Sequence, residues 1–262
     1  MLKSLLAHPL TRGLAVDDPE TTALRWRIIR EKTFLKRVYQ EWYASVAAAL
    51  PDVPEGPVLE LGAGGGFLKE FVPDLIASEV FHVPHVDVIM DGQCMPFLTA
   101  TLKGIVMTDV LHHLPQPRAF FAESARCVRP GGVIVAIEPW VTPWSRLVYG
   151  RLHHEPFQPD AREWEFPGSG PLSGANGALP WIIFRRDRAQ FEGEFATWRV
   201  KEIRPCMPFR YLVSGGVSLR SLTPGWTFGF WRGLEGLLSP LRNSLGMFAL
   251  IVLERTSVEV GE

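Results

Sequence analysis

Apolar residues recur at helical spacing from about Glu20 to Leu50, where Leu24, Ile28, Phe34, Leu35, Val38, Trp42 and Val46 fall on one face. The spacing predicts one long amphipathic helix. Asp17-Asp18-Pro19-Glu20 supplies its start, with an acidic cap and a proline in the first turn. Pro51 to Pro57 is a turn-rich linker. Beyond it the period changes, and short apolar runs alternate with turn signals and helical stretches. They predict strand 58–61, a glycine turn, a helix near 66–72 and strand 75–80. Strands 86–90 and 104–109 follow, then a helix over 117–128 that ends at Arg129-Pro130-Gly131-Gly132, and strand 133–138. This alternation predicts an α/β fold built on a doubly wound, mainly parallel sheet.

After Pro139 the regularity weakens. Residues 139–185 are rich in Pro, Gly and aromatics, and 206–244 form a second irregular stretch with an amphipathic helix at 228–239. A helix near 186–197, a strand near 198–205 and a closing strand from Phe248 to Leu253 complete the pattern. The organisation expected is a helical N-terminal extension and lid over 1–56, then one domain over 57–262 that carries the two insertions.

The chain has 262 residues, enough for a full core, and its 47% apolar and 21% charged content excludes a disordered class. A formal net charge of -1 gives no basic excess for a polyanion, so no nucleic-acid partner is expected. Cys94, Cys127 and Cys206 lie far apart with no C-x-x-C spacing, which fits a reducing, cytoplasmic setting. The apolar stretch within Met1 to Leu10 is too short for a signal-peptide core, and Met247 to Leu253 falls far short of the ~20 residues of a membrane span.

The chemistry concentrates at the ends of the predicted strands, where doubly wound sheets bind ligands. Val58-Leu59-Glu60-Leu61 runs into Gly62-Ala63-Gly64-Gly65-Gly66-Phe67. Phe67 stands where a dinucleotide fingerprint wants Gly or Ala. Glu60 precedes the first glycine, where a carboxylate suits a cationic ligand better than a pyrophosphate. Glu79 ends the second strand, at a spacing suited to accepting from ribose hydroxyls, with Val80 beside it. The third strand end offers Asp91-Gly92-Gln93-Cys94-Met95-Pro96-Phe97, and the fourth Thr108-Asp109-Val110-Leu111-His112-His113-Leu114-Pro115. Each piece alone has a plainer reading: a tight turn, a solvated acid, an Asx turn, a packing pair of histidines. Their order and spacing together resemble the class I S-adenosylmethionine (SAM)-dependent methyltransferases, and the segment after the fourth strand resembles the type 11, quinone-biosynthesis-methyltransferase-like group.

The resemblance covers about 57–138 by motif and 186–255 by pattern. It implies a Rossmann-like sheet of seven strands, the last antiparallel, and SAM as cofactor. It implies that Glu60, Gly62, Ala63, Gly64, Gly66, Glu79, Val80, Asp91, Gly92, Gln93, Thr108, Asp109 and Val110 form the cofactor site, with Asp91 accepting from the adenine amino group. A hydroxyl acceptor would call for a general base. The candidates are His112 or His113 and the His153-His154-Glu155 segment, with His113 and His154 favoured. No metal site is expected, because no carboxylate framework accompanies these histidines at convincing spacing.

Aromatics crowd both insertions: Trp140, Trp144, Tyr149, Phe157, Trp164, Phe166 and Trp181, then Phe209, Tyr211, Trp226, Phe228, Phe230 and Trp231. They suggest a small apolar, lipid- or sugar-linked acceptor, or else simple packing of the insertions onto the sheet. Helix 228–239 also suits a membrane surface. Two rivals stay open: a NAD(P)-dependent oxidoreductase, against which Glu60 and Phe67 argue, and a degenerate methyltransferase used as a scaffold.

Overall fold

The computed structural model describes residues 18–52, 54–152, 155–167, 170 and 174–256. Seven strands form one sheet: β1 (Val58–Leu61), β2 (Leu75–Glu79), β3 (Val88–Ile89), β4 (Leu102–Thr108), β5 (Val128–Pro139), β6 (Trp198–Cys206) and β7 (Phe248–Arg255). Their order is β3-β2-β1-β4-β5-β7-β6. The first five run parallel, and β7 is antiparallel to both β5 and β6. This is the Rossmann-like methyltransferase sheet expected from the sequence. Strand order reverses between β1 and β4, which opens a crevice at their carboxyl ends.

Both sheet faces are covered, which is why the strands read as nearly continuous apolar runs. Along β5, Ile134 and Ala136 face one side with Leu59, Ile105 and Ile251. Val133, Val135 and Ile137 face the other with Val58, Val106 and Leu250. The helix Pro117–Cys127 and segment 179–191 cover the first side.

The second side shows where the sequence reading needs correction. The long N-terminal helix is two helices, α1 (Pro19–Glu31) and α2 (Thr33–Ala49), joined at Lys32, whose backbone is extended at φ -80°, ψ 92°. Asp18 caps α1 as expected, accepting from the Glu20 amide at 2.9 Å. The break is held by the Lys32 ammonium, which donates to the Gly216 and Leu219 carbonyls at 2.6 and 2.9 Å. Phe34, Leu35, Val38, Tyr39, Trp42, Tyr43 and Val46 of α2 are buried against the sheet. That packing leaves no room for the helix expected near 66–72. A single 3₁₀ turn, Leu68–Glu70, stands there instead, and Phe67 packs edge-on to Tyr43 with ring centroids 4.9 Å apart.

Arg129-Pro130-Gly131-Gly132 does not separate helix from strand. It forms an irregular stretch inside β5, with Gly131 at φ +81° and the register shifted between Leu102–Val128 and Gly104–Val133. The helix expected at 186–197 runs only over Arg188–Glu194, after a wide helical coil at Ile182–Arg186. The helix expected at 228–239 is Phe228–Leu237. No described helix is long and apolar enough to cross a membrane.

Candidate functional site

The ends of β1, β2 and β4 open into one cavity of about 170 Å³, lined by Glu60, Gly62, Gly65 and Gly66 of the glycine turn. Gly62 sits at φ +67°, in the left-handed region, and a Cβ there would lie 2.4 Å from Val110 Cγ2. A Cβ on Gly66 would lie 2.4 Å from the Tyr43 hydroxyl. Backbone therefore faces the cavity because side chains have no room. Gly64 plays another part: its missing Cβ would meet Thr22 Cγ2 at 2.3 Å and Glu79 Oε1 at 2.8 Å, so it lets α1 close onto β2. Ala63 is buried behind the turn, its amide donating to the Ser78 carbonyl at 2.9 Å.

Glu79 and Val80 line the cavity as expected. The Glu79 carboxylate is buried and accepts from the Val80 amide at 2.9 Å. Burial raises its pKa, against hydrogen bonds from the Val80 and Gly64 amides. Glu60 is more deeply buried, and burial with the neighbouring Glu79 charge pushes it up to about 8. Gly92 also lines the cavity. Asp91 does not join it. It is exposed, and its carboxylate accepts from the Gln93 amide at 2.8 Å and the Gln93 side-chain amide at 3.0 Å, an Asx turn. Gln93 Oε1 in turn accepts from the Gln116 amide at 3.1 Å.

At the end of β4, Thr108, Asp109, Val110 and His113 line the cavity. Asp109 holds φ +64°, an uncommon conformation for a residue with a side chain, and burial pushes its carboxyl up to about 6. His113 Nδ1 lies 3.1 Å from the Gly174 carbonyl, and burial with the adjacent His112 holds its pKa down at about 3. His112 is fully buried, with Nδ1 2.7 Å from Glu138 Oε2. Burial opposes its charge, but the Glu138 hydrogen bond and the nearby carboxylates of Glu155, Glu138 and Asp109 outweigh burial and raise its pKa. His154 lies outside the described residues, as does His153.

Several site residues were not singled out from the sequence. Thr22, Arg25 and Ile29 of α1 and Tyr39 and Tyr43 of α2 line the cavity, brought there by helix packing that no local motif encodes. Glu138 did have a signal, an acid within the apolar run of β5. Glu155, named only beside His153-His154, also lines the cavity and stands 3.7 Å from His112 Nε2. A carboxylate does accompany the histidines, contrary to the expectation from spacing. The aromatic wall mostly packs the insertions: Trp164 and Trp181 join one core, Phe228 stacks edge-on to Phe34, and Tyr211 alone among the thirteen expected wall residues lines the cavity.

The residues present fit SAM. Four carboxylates, from Glu60, Glu79, Asp109 and Glu155, line the cavity and suit a cation. The Thr22 and Thr108 hydroxyls are buried and have no hydrogen-bond partner among the described residues, so polar ligand groups could satisfy them.

A family model described as a methyltransferase domain matches residues 32–168. No curated protein sequence matches the chain. Two solved structures are similar over nearly its whole length. One is a chain from the complex of the Haloferax volcanii Trm112 methyltransferase activator with a methyltransferase, at 13% identity, covering 94% of this chain and 100% of that one, TM-score 0.51. The other is geranyl diphosphate C-methyltransferase from Streptomyces coelicolor A3(2), solved with Mg2+, geranyl diphosphate and S-adenosyl-L-homocysteine. It is 13% identical and covers 96% of this chain and 90% of that one, TM-score 0.51. At that identity the likeness is one of fold.

Proposed function

From the premise that the chain belongs to the methyltransferase domain family and uses SAM as its methyl donor, we propose that it methylates an oxygen of a small, largely apolar metabolite. One observation carries this reading: a single cavity has the glycine turn and Glu79 at one part of its wall and Asp109, His113 and Glu155 at another. SAM supplies a methyl group activated by its sulfonium.

The chain's residues do the rest. Glu79 accepts from the ribose hydroxyls, and the turn at Gly62 and Gly66 brings backbone against the nucleoside. Glu60 and Asp109 place negative charge toward the cationic part. Glu60, protonated without a ligand, is held ionised by a cation beside it. Asp91, which does not line the cavity, is given no part in this reading. The acceptor enters against Asp109, His113 and Glu155, where its hydroxyl can donate a hydrogen bond. Tyr211 from the second insertion and Ile29 from α1 give the apolar surface that holds it and excludes water.

The experiment is methyl transfer from radiolabelled SAM into fractionated small-molecule extract. The reading expects a labelled, apolar small product whose yield at limiting SAM falls about tenfold or more in Glu79→Ala. Label appearing only in protein or nucleic acid would overturn it. So would label linked to carbon or nitrogen in the product.

A further inference from the structure

Next to the end of β4 stands a cluster that the methyl-transfer reading does not exhaust. We propose that His112, His113 and Glu155 form a site for one divalent transition-metal ion. One ligand atom from each lies within 4.8 Å of the others. His112 Nδ1 is engaged by Glu138 Oε2 at 2.7 Å, which leaves Nε2 as the ligand atom. That Nε2 is buried, has no hydrogen-bond partner among the described residues, and lies 3.7 Å from Glu155 Oε2. The separation is too long for a hydrogen bond. It is close to the roughly 3.4 Å between two ligands held ~2.1 Å from one tetrahedral ion.

His113 repeats the arrangement. Its Nδ1 lies 3.1 Å from the Gly174 carbonyl. A carbonyl only accepts, so Nδ1 carries the hydrogen and Nε2 keeps its lone pair. Metal-binding histidines characteristically give their other N–H to a carboxylate or a backbone carbonyl, which fixes tautomer and ring orientation. Glu138 and Gly174 supply one of each. The two rings lie 4.2 Å apart, tilted by 40°.

Two imidazoles and one carboxylate suit Zn2+, Co2+ or Fe2+ better than Mg2+ or Ca2+, which prefer oxygen ligands throughout. Three protein ligands leave coordination positions open. Because His113 and Glu155 line the cavity, those positions face the acceptor end. An acceptor hydroxyl bound there would lose its proton more readily. That last role rests on the methyl-transfer reading, whereas the metal site does not.

The test is a titration of chelator-treated full-length protein with Co2+ in the absence of SAM, read by visible absorption and calorimetry. One Co2+ per chain is expected, with ligand-field bands that zinc abolishes. Affinity should fall about tenfold or more in Glu155→Gln and in His113→Ala, and stay unchanged in His85→Ala, whose ring stacks on Trp26 outside the cluster. Absence of stoichiometric binding, or equal binding in all variants, would overturn the site. Should His113→Ala fail to fold by circular dichroism, Glu155→Gln decides, since the Glu155 side chain is 19% exposed and tolerates an isosteric change. Because the titration omits SAM, its failure leaves the methyl-transfer reading standing, and failure of SAM binding leaves the site standing.

Discussion

His112 and Glu138, both fully buried, share a 2.7 Å hydrogen bond from Nδ1 to Oε2, while Glu138 Oε1 accepts the Val110 and Leu111 amides at 2.9 and 2.7 Å. One carboxylate from β5 thus fixes the whole turn after β4. Removing it strands a buried amide, a half-buried one and a buried imidazole. Glu138→Ala is therefore expected to cost roughly 3–5 kcal/mol, and Glu138→Gln less, because its amide oxygen still accepts. Urea unfolding followed by circular dichroism checks this; an unchanged midpoint for the alanine variant would contradict it.

Gly62 is the turn position with least freedom. Its left-handed φ and the 2.4 Å approach of Val110 both penalise a side chain. Gly62→Ala should weaken SAM by about tenfold or more and lower stability by roughly 1–2 kcal/mol. Calorimetry paired with thermal melting reads both quantities. Parent-like SAM affinity would show that the cofactor does not approach this backbone.

Glu79 is expected to hold the ribose. Its alanine variant should lose roughly 1–3 kcal/mol of SAM affinity, the scale of a hydrogen bond to a charged group. A dissociation constant matching the parent would remove Glu79 from the site.

Glu60 links stability and binding to pH in opposite senses. Burial, and next the Glu79 charge, raise its pKa from 4.5 to about 8, while Lys69 pulls the other way. The Tyr43 hydroxyl and the Gly66 backbone also face it. The folded chain holds this proton more tightly than the unfolded one. Its contribution to stability is complete below about pH 4.5 and is lost as pH rises to about 8. Glu60→Gln should therefore stabilise the protein at about pH 8 by roughly 2 kcal/mol, or about 4–8 °C in Tm. SAM, a cation, favours the ionised carboxylate, so its binding should tighten between about pH 6.5 and 8.5 in the parent but not in the variant. Matching melting profiles for the two proteins at both pH values would refute this.

Those stretches of the cavity wall that are contiguous in sequence were legible as strand ends. The glycine turn, Glu79 and Thr108-Asp109-Val110 occupy strand ends, where local pattern fixes position. Parts set by packing were not. Asp91 sits in the expected segment, yet Gln93 is near enough in sequence to capture its carboxylate in a turn. The helix after the glycine turn gave way to α2, because Tyr43 and Trp42 bring more apolar surface to that sheet face than residues 68–70 can. The N-terminal helix broke at Lys32 because the Gly216 and Leu219 carbonyls, far along the chain, take its ammonium. Glu155 reaches His112 only through the path of the first insertion, which no periodicity encodes.

The most direct measurement is calorimetric titration of the parent and Glu79→Ala with SAM, and of the parent with NADH. The account predicts one SAM per parent chain, weaker binding by the variant, and no heat from NADH. Saturable NADH binding with no SAM binding would contradict it.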